Sequence, residues 1–112
     1  MTIVTEREMW YSVRVTVWEK GLKMVCREFR VEFARKAYKW LRGHREAWSI
    51  VDEAVKELRV NPFIGEELHG RCRGLRKYRR GRLRIVYSID TENCTVIVWR
   101  VGYRENIYEE IC

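Results

Sequence analysis

Residues 71 to 84 read RCRGLRKYRRGRLR, with eight Arg or Lys and no acid. Leu75, Tyr78 and Leu83 are interleaved with the charges, and the run passes directly into the β-forming stretch IVYSI. A run of pure charge stays solvated and disordered, whereas charge carried on a strand has a fixed shape. A cationic surface of fixed shape suits a polyanion such as RNA. The plainer reading is an edge strand kept soluble by Arg and Lys. The charge density, well above an ordinary surface mix, favours the polyanion.

Other reactive side chains offer less. Cys26, Cys72, Cys94 and Cys112 form no C-x-x-C pair, and His44 and His69 stand at no ligand spacing from them, so no metal site is expected. Free thiols are the default in a reducing cytosol, with one bridge through Cys72 or Cys94 left open. His44, in a turn, is expected to face solvent, and His69 precedes the basic strand and could touch RNA. Trp10, Trp18, Trp40, Trp48 and Trp99 are expected mainly in packing, with Trp10 and Trp18 open to a role at a protein interface. Asp52 and Glu53 fall on the polar side of a helix.

The chain of 112 residues supports one domain, with 46% hydrophobic residues for a core. Its net charge of +7 favours an acidic partner. No apolar run approaches the roughly 20 residues of a membrane span, and MTIVTEREMW lacks the pattern of a secretory signal. The expected location is the cytoplasm, with no membrane partner. One Pro, no Gln and 35% charged residues lean towards a thermophilic source.

The elements that would position the basic run are set by periodicity. Residues 11–17, YSVRVTV, alternate strictly, which predicts a strand with one buried face. After a turn at 19–21, residues 22–33 resume extended character and complete a hairpin. Helical spacing comes next at 34–42, broken by Gly43. It returns at 45–59, where Ala47, Ile50, Val51, Ala54, Val55 and Leu58 form one stripe. Asn61-Pro62 ends that helix, and 63–71 is expected to be a loop. Strands are predicted at 73–79, 82–89 and 94–101, with turns at Arg80-Gly81 and 90–93. The order gives an α+β domain: an antiparallel-rich twisted sheet with an α-helical hairpin on one face, plus an extra N-terminal strand. The other face is left to the arginines.

Several ordered stretches resemble one known family: FRVEFARKA, LRVNP, LHG, GLRKYR, GRLRIVYSI and VGYRENIY. They are similar to the RelE/ParE superfamily of toxin–antitoxin toxins over residues 27–112, leaving 1–26 as an N-terminal β extension of a single domain. The resemblance implies a RelE-like fold and a cognate antitoxin as partner. It implies no cofactor. In the RelE branch it implies a metal-independent endoribonuclease, an mRNA interferase, acting on mRNA in the ribosomal A site. In the ParE branch it implies inhibition of DNA gyrase without RNA cleavage. A toxin-like protein that only binds is a third reading.

Cutting RNA without metal requires deprotonation of the 2′-hydroxyl, neutralisation of the phosphate and protonation of the 5′ oxygen as it leaves. The resemblance assigns these tasks to Lys77, Arg84, Arg104 and Tyr108. Lys77 matches the family's strand lysine and is expected as base or as a phosphate contact. Arg84 opens the R-I-V-Y motif and is expected to stabilise the pentavalent phosphate, because a guanidinium keeps its proton. Arg104 of V-G-x-R would grip phosphate bidentately, and Tyr108 would stack on a base. Arg73, Arg76, Arg79, Arg80 and Arg82 are expected to contact RNA. The chain departs from the pattern at Leu75, where some relatives carry a second lysine, and at Tyr103, where a basic residue is usual. Arg76, Arg79 or Arg82 could take the place of that second lysine.

Overall fold

Alternating Val, Ile and Tyr build the strands of this chain, and two apolar stripes on helices supply what those strands must bury against. The computed structural model describes residues 15–19, 23–104 and 107. Two strands come first, β1 (Val15–Glu19) and β2 (Lys23–Glu28), followed by β3 (Arg30–Phe33). Helices α1 (Arg35–Arg42) and α2 (Trp48–Val60) form the hairpin. Then come β4 (Glu66–Glu67), β5 (Arg76–Arg80), β6 (Leu83–Asp90) and β7 (Thr95–Gly102). The sheet of five strands runs in the order β3-β7-β6-β5-β4, with β3 parallel to β7 and the other pairs antiparallel. The fold is α+β, as the sequence predicts.

The core lies between the helices and one face of the sheet. Val31, Phe33, Leu83, Ile85, Tyr87, Val96 and Val98 meet Leu41, Val51, Ala54, Val55 and Leu58 there. Gly43 caps α1, its N–H reaching the carbonyls of Trp40 and Leu41. A single 3-10 turn at Arg45–Ala47 leads into α2, so the second helix proper begins at Trp48 rather than 45. Gly81 takes φ +63° in the β5–β6 turn, where a side chain would be strained.

Four readings from sequence are corrected. First, residues 22–33 are not one extended element. Phe29 is buried and divides β2, which pairs with β1, from β3, which joins the larger sheet. The anticipated strand at 11–17 lies partly outside the described residues, and its described part belongs to β1. Second, the loop at 63–71 contains a short edge strand, since Glu66 pairs with Lys77 and Glu67 with Arg76. Third, β5 begins at Arg76 rather than 73. Fourth, the thiols are not free: Cys26 and Cys94, 68 residues apart, form a disulfide, and Cys72 is also disulfide-bonded. No local spacing announces the first bridge. It exists because the end of β2 and the start of β7 are brought within 5.5 Å, Cα to Cα.

Strand β7 carries a β-bulge. Tyr87 of β6 pairs with Val98 while Val86 pairs with Arg100, so Trp99 is the extra residue. An extra residue shifts the alternation by one. Val98 and Val101 therefore both reach the core side, buried at 1% and 4% exposure. Arg100 goes to the opposite face, where strict alternation from Val98 would have driven it into the core.

Candidate nucleic-acid interface

Directly paired residues of antiparallel strands share a face, and so do residues two apart. Lys77 pairs with Val86, and Val86 with Arg100. Arg79 pairs with Arg84, and Arg84 with Gly102. Lys77, Arg79, Arg84 and Arg100 thus occupy the face turned away from the helices. Arg84 is the diagonal neighbour of both Lys77 and Arg100, a relation that spans roughly 7–8 Å between backbones and lies within reach of long side chains. Val86 sits among them, fully buried yet outside the main core cluster.

Arg84 is half-buried and donates through Nη1 to the Tyr103 carbonyl at 2.6 Å. That bond joins the middle of the sheet to the segment beyond β7, where Arg104 is exposed. Lys77 Nζ stands 3.6 Å from the Glu66 carboxylate on β4, and that carboxylate is 73% exposed. Arg79 is exposed, with Nε donating to the Gly81 carbonyl at 3.0 Å. Arg82 is exposed in the turn with its guanidinium 5.9 Å from the Tyr103 ring, and Arg73 is exposed before β5. Tyr108 lies outside the described residues.

The structure separates two arginines from this group. Arg76 pairs with Tyr87 and Arg80 with Leu83, both core-facing residues, so each starts on the helix side. Arg76 donates to the Gly65 carbonyl at 2.6 Å and its guanidinium lies over Phe63. Arg80 binds Glu53 at 3.0 Å and Glu57 at 2.9 Å on α2. These contacts hold loop and helix to the sheet, a structural role the sequence reading merged with RNA contact. Period-two alternation across 76–80 was the signal that distinguishes them.

Two partnerships brace the platform. The buried Tyr87 hydroxyl donates to the Pro62 carbonyl at 2.6 Å and accepts the Gly65 N–H at 3.0 Å. Burial raises its pKa, so it remains a donor. Tyr78 donates to the Glu57 carboxylate, and Arg80 joins them. The Tyr78 bond, aided by Arg80, lowers the Glu57 pKa, while burial and the Glu57 bond raise that of Tyr78.

Sequence reasoning missed an aromatic cluster beside the interface. His44, expected in solvent, is half-buried and stacks on Trp40 with ring centroids 3.8 Å apart, and its Nδ1 lies 2.8 Å from the Trp40 carbonyl. Tyr103 meets Trp40 edge-on at 5.3 Å and donates to Glu46 at 3.2 Å. Burial and the Glu46 bond raise its pKa. The i, i+4 spacing of Trp40 and His44 was visible, but helix termination at Gly43 made His44 look like a loop residue. Arg100 is not singled out by sequence because its strand, 94–101, is largely apolar, as expected of a central strand.

Among the described residues, no group of three His, Cys, Asp or Glu could hold a metal ion, and no helix is long and apolar enough to cross a membrane.

Comparison with known proteins agrees with this architecture. Residues 29–112 match a family model described as the ParE-like toxin of type II bacterial toxin–antitoxin systems. The chain is 36% identical over 61 residues to Toxin RelG of Mycobacterium tuberculosis, covering 54% of this chain and 70% of the relative. Its fold is similar to a chain in the crystal structure of the toxin–antitoxin complex RelBE2 from M. tuberculosis, with a TM-score of 0.63 and 31% identity. That match covers 69% of this chain and 99% of the other. A YoeB/ParE toxin from Agrobacterium tumefaciens shares the fold at a TM-score of 0.56 and 16% identity, over 66% and 96% of the two chains.

Proposed function

We propose that this chain, which belongs to the ParE-like toxin family of type II bacterial toxin–antitoxin systems within the RelE/ParE superfamily, is an endoribonuclease that cuts mRNA in the ribosomal A site. The observation that carries the reading is the placement of Arg84 diagonally between Lys77 and Arg100 on the open sheet face. Three cations on neighbouring positions of one sheet face suit one phosphodiester passing through a doubly charged transition state.

In this reading Lys77 parts from the exposed Glu66, gives up its proton to water and, as the neutral amine, takes the 2′-hydroxyl proton. The oxygen attacks the adjacent phosphorus, the P–O2′ bond forms as the P–O5′ bond breaks, and the 5′ oxygen departs with a proton delivered by water, leaving a 2′,3′-cyclic phosphate. Arg84, fixed by the Tyr103 carbonyl, neutralises the pentavalent phosphate without reorganising. Arg104 adds a second guanidinium from beyond β7, and Tyr108 stacks on a base. Arg79, Arg82 and Arg73 extend the cationic track along the RNA. The protein works in the cytoplasm, where an acidic antitoxin segment neutralises it.

Ribosomes programmed with mRNA test this directly. Wild-type protein should give cuts at the A-site codon with cyclic phosphate ends, and Arg84→Ala should give at least about tenfold fewer. The family model's ParE-like description supports a second reading, inhibition of DNA gyrase. Intact mRNA together with blocked supercoiling would establish that reading in place of the first.

A further inference from the structure

A cleft of about 510 Å³ opens between α1 and the C-terminal end of β7. Lys36, Lys39, Trp40, Arg100, Tyr103 and Arg104 line it, and no carboxylate does among the described residues. Its volume falls within the range of small-molecule sites. We infer that this cleft receives one further nucleotide of the RNA strand, its phosphate held by Lys36 and Lys39 and its base against Trp40 and Tyr103. The inference rests on the ribonuclease reading and assigns the neighbouring subsite.

Two independent observations carry it. The first is the charge of α1. Its eight residues hold Arg35, Lys36, Lys39 and Arg42, with no acid in the first turn. Cations at a helix N-terminus oppose the dipole, and like charges three residues apart repel. Lys39 and Arg42 lie in the last turn, where the dipole favours them, so the penalty falls on Arg35 and Lys36 in the first turn and on the Lys36–Lys39 repulsion, and a bound phosphate would offset both. Lys36 and Lys39 share a helix face and are both exposed.

The second observation is continuity with the sheet face. Arg100 and Arg104 belong to both the cleft and the proposed cleavage patch. Arg84 binds the carbonyl of Tyr103, the residue whose ring completes the aromatic wall with Trp40. A strand crossing Arg84 therefore meets the cleft at its next step. Aromatic and cationic groups in one concavity fit a base and its phosphate together, and stacking is tolerant of sequence.

The test is binding of a five-nucleotide single-stranded RNA with 2′-O-methyl groups, which cannot undergo 2′-hydroxyl attack. Full-length wild type, Lys36→Ala/Lys39→Ala, Lys36→Arg/Lys39→Arg and the control Lys56→Ala are titrated across a salt series. The alanine pair should weaken binding at least fivefold and reduce the slope of log K against log salt by about 0.7, the value for the one phosphate the two lysines hold. The arginine pair should restore binding, and Lys56→Ala should match wild type. An unchanged slope in a folded alanine pair overturns the inference, as does failure of wild type to bind the oligonucleotide. Equal affinity for poly-glutamate of matched charge also overturns it, because the cleft would then be reading acidic protein. Ribosome-dependent cleavage by wild type, measured alongside, shows whether the wider reading stands when the subsite fails.

Discussion

Arg84 donates to the carbonyl of Tyr103 over 2.6 Å, so the central strand β6 holds the segment that carries Arg104. In the proposed mechanism one guanidinium thus has both a catalytic and a positioning task. Arg84→Lys keeps a charge but loses the fork that can serve the carbonyl and a phosphate at once. It should leave cleavage reduced by at least about tenfold, close to Arg84→Ala. Circular dichroism should show both variants folded. Full activity in the lysine variant would mean that charge alone suffices.

Arg79 and Arg80 are adjacent in sequence and start on opposite faces of β5. Arg79→Ala should weaken RNA binding and lower the salt slope by about 0.7. Arg80→Ala breaks its bonds to Glu53 and Glu57, which are exposed, and should lower the urea midpoint only slightly. Its RNA affinity should be nearly unchanged. Urea titration and oligonucleotide binding on the two variants read both effects, and reversed results would place the interface on the helix side.

The Tyr78–Glu57 contact ties stability to pH at both ends. Glu57 has a folded pKa below its usual 4.5, so its contribution is complete above that value and fades as pH falls through the folded pKa. Tyr78 has a folded pKa above its usual 10.0, so its contribution is complete below 10 and fades as pH rises towards the folded value. Tyr78→Phe should flatten both edges of a plot of urea midpoint against pH. A variant curve parallel to wild type at both ends would show that the contact contributes nothing to stability.

Gly65 has an ordinary φ, and its constraint is space. A Cβ there would collide with the Tyr87 hydroxyl and lie 2.8 Å from the Lys77 carbonyl. Gly65→Ala should cost about 1–3 kcal/mol, as overpacking does. Because the displaced strand is β5, cleavage should fall as well. Gly74→Ala provides contrast, since a Cβ at Gly74 meets nothing within 4 Å and only its φ of +95° is at issue. Thermal melts and cleavage on Gly65→Ala and on Gly65→Ala/Tyr87→Phe separate the two contacts.

The helices and β6 are legible because their apolar periods are clean and Gly43, Pro62 and Gly81 punctuate them. The alternation of 82–89 places Leu83, Ile85, Tyr87 and Ile89 on the core side; the first three are buried there and Ile89 is partly buried against them. The site was less legible because it depends on register. Arg100 reaches the open face only through a bulge, and no local feature of TVIVWRVG marks Trp99 as the extra residue. Arg76 and Arg80 carry the same charge as Lys77 and Arg79, so residue type does not separate them and only the period of two does. The bridge between Cys26 and Cys94 depends on a contact between distant segments, which spacing alone does not encode.

That bridge makes the two borders of the large sheet unequal. At one border β3 is clamped near its start, between a covalent link to the head of β7 and the continuous passage into α1. At the other border the sheet ends in β4, two residues long and joined only to β5. A partner that adds or exchanges a strand would therefore meet a lock on the first side and a door on the second, beside Lys77.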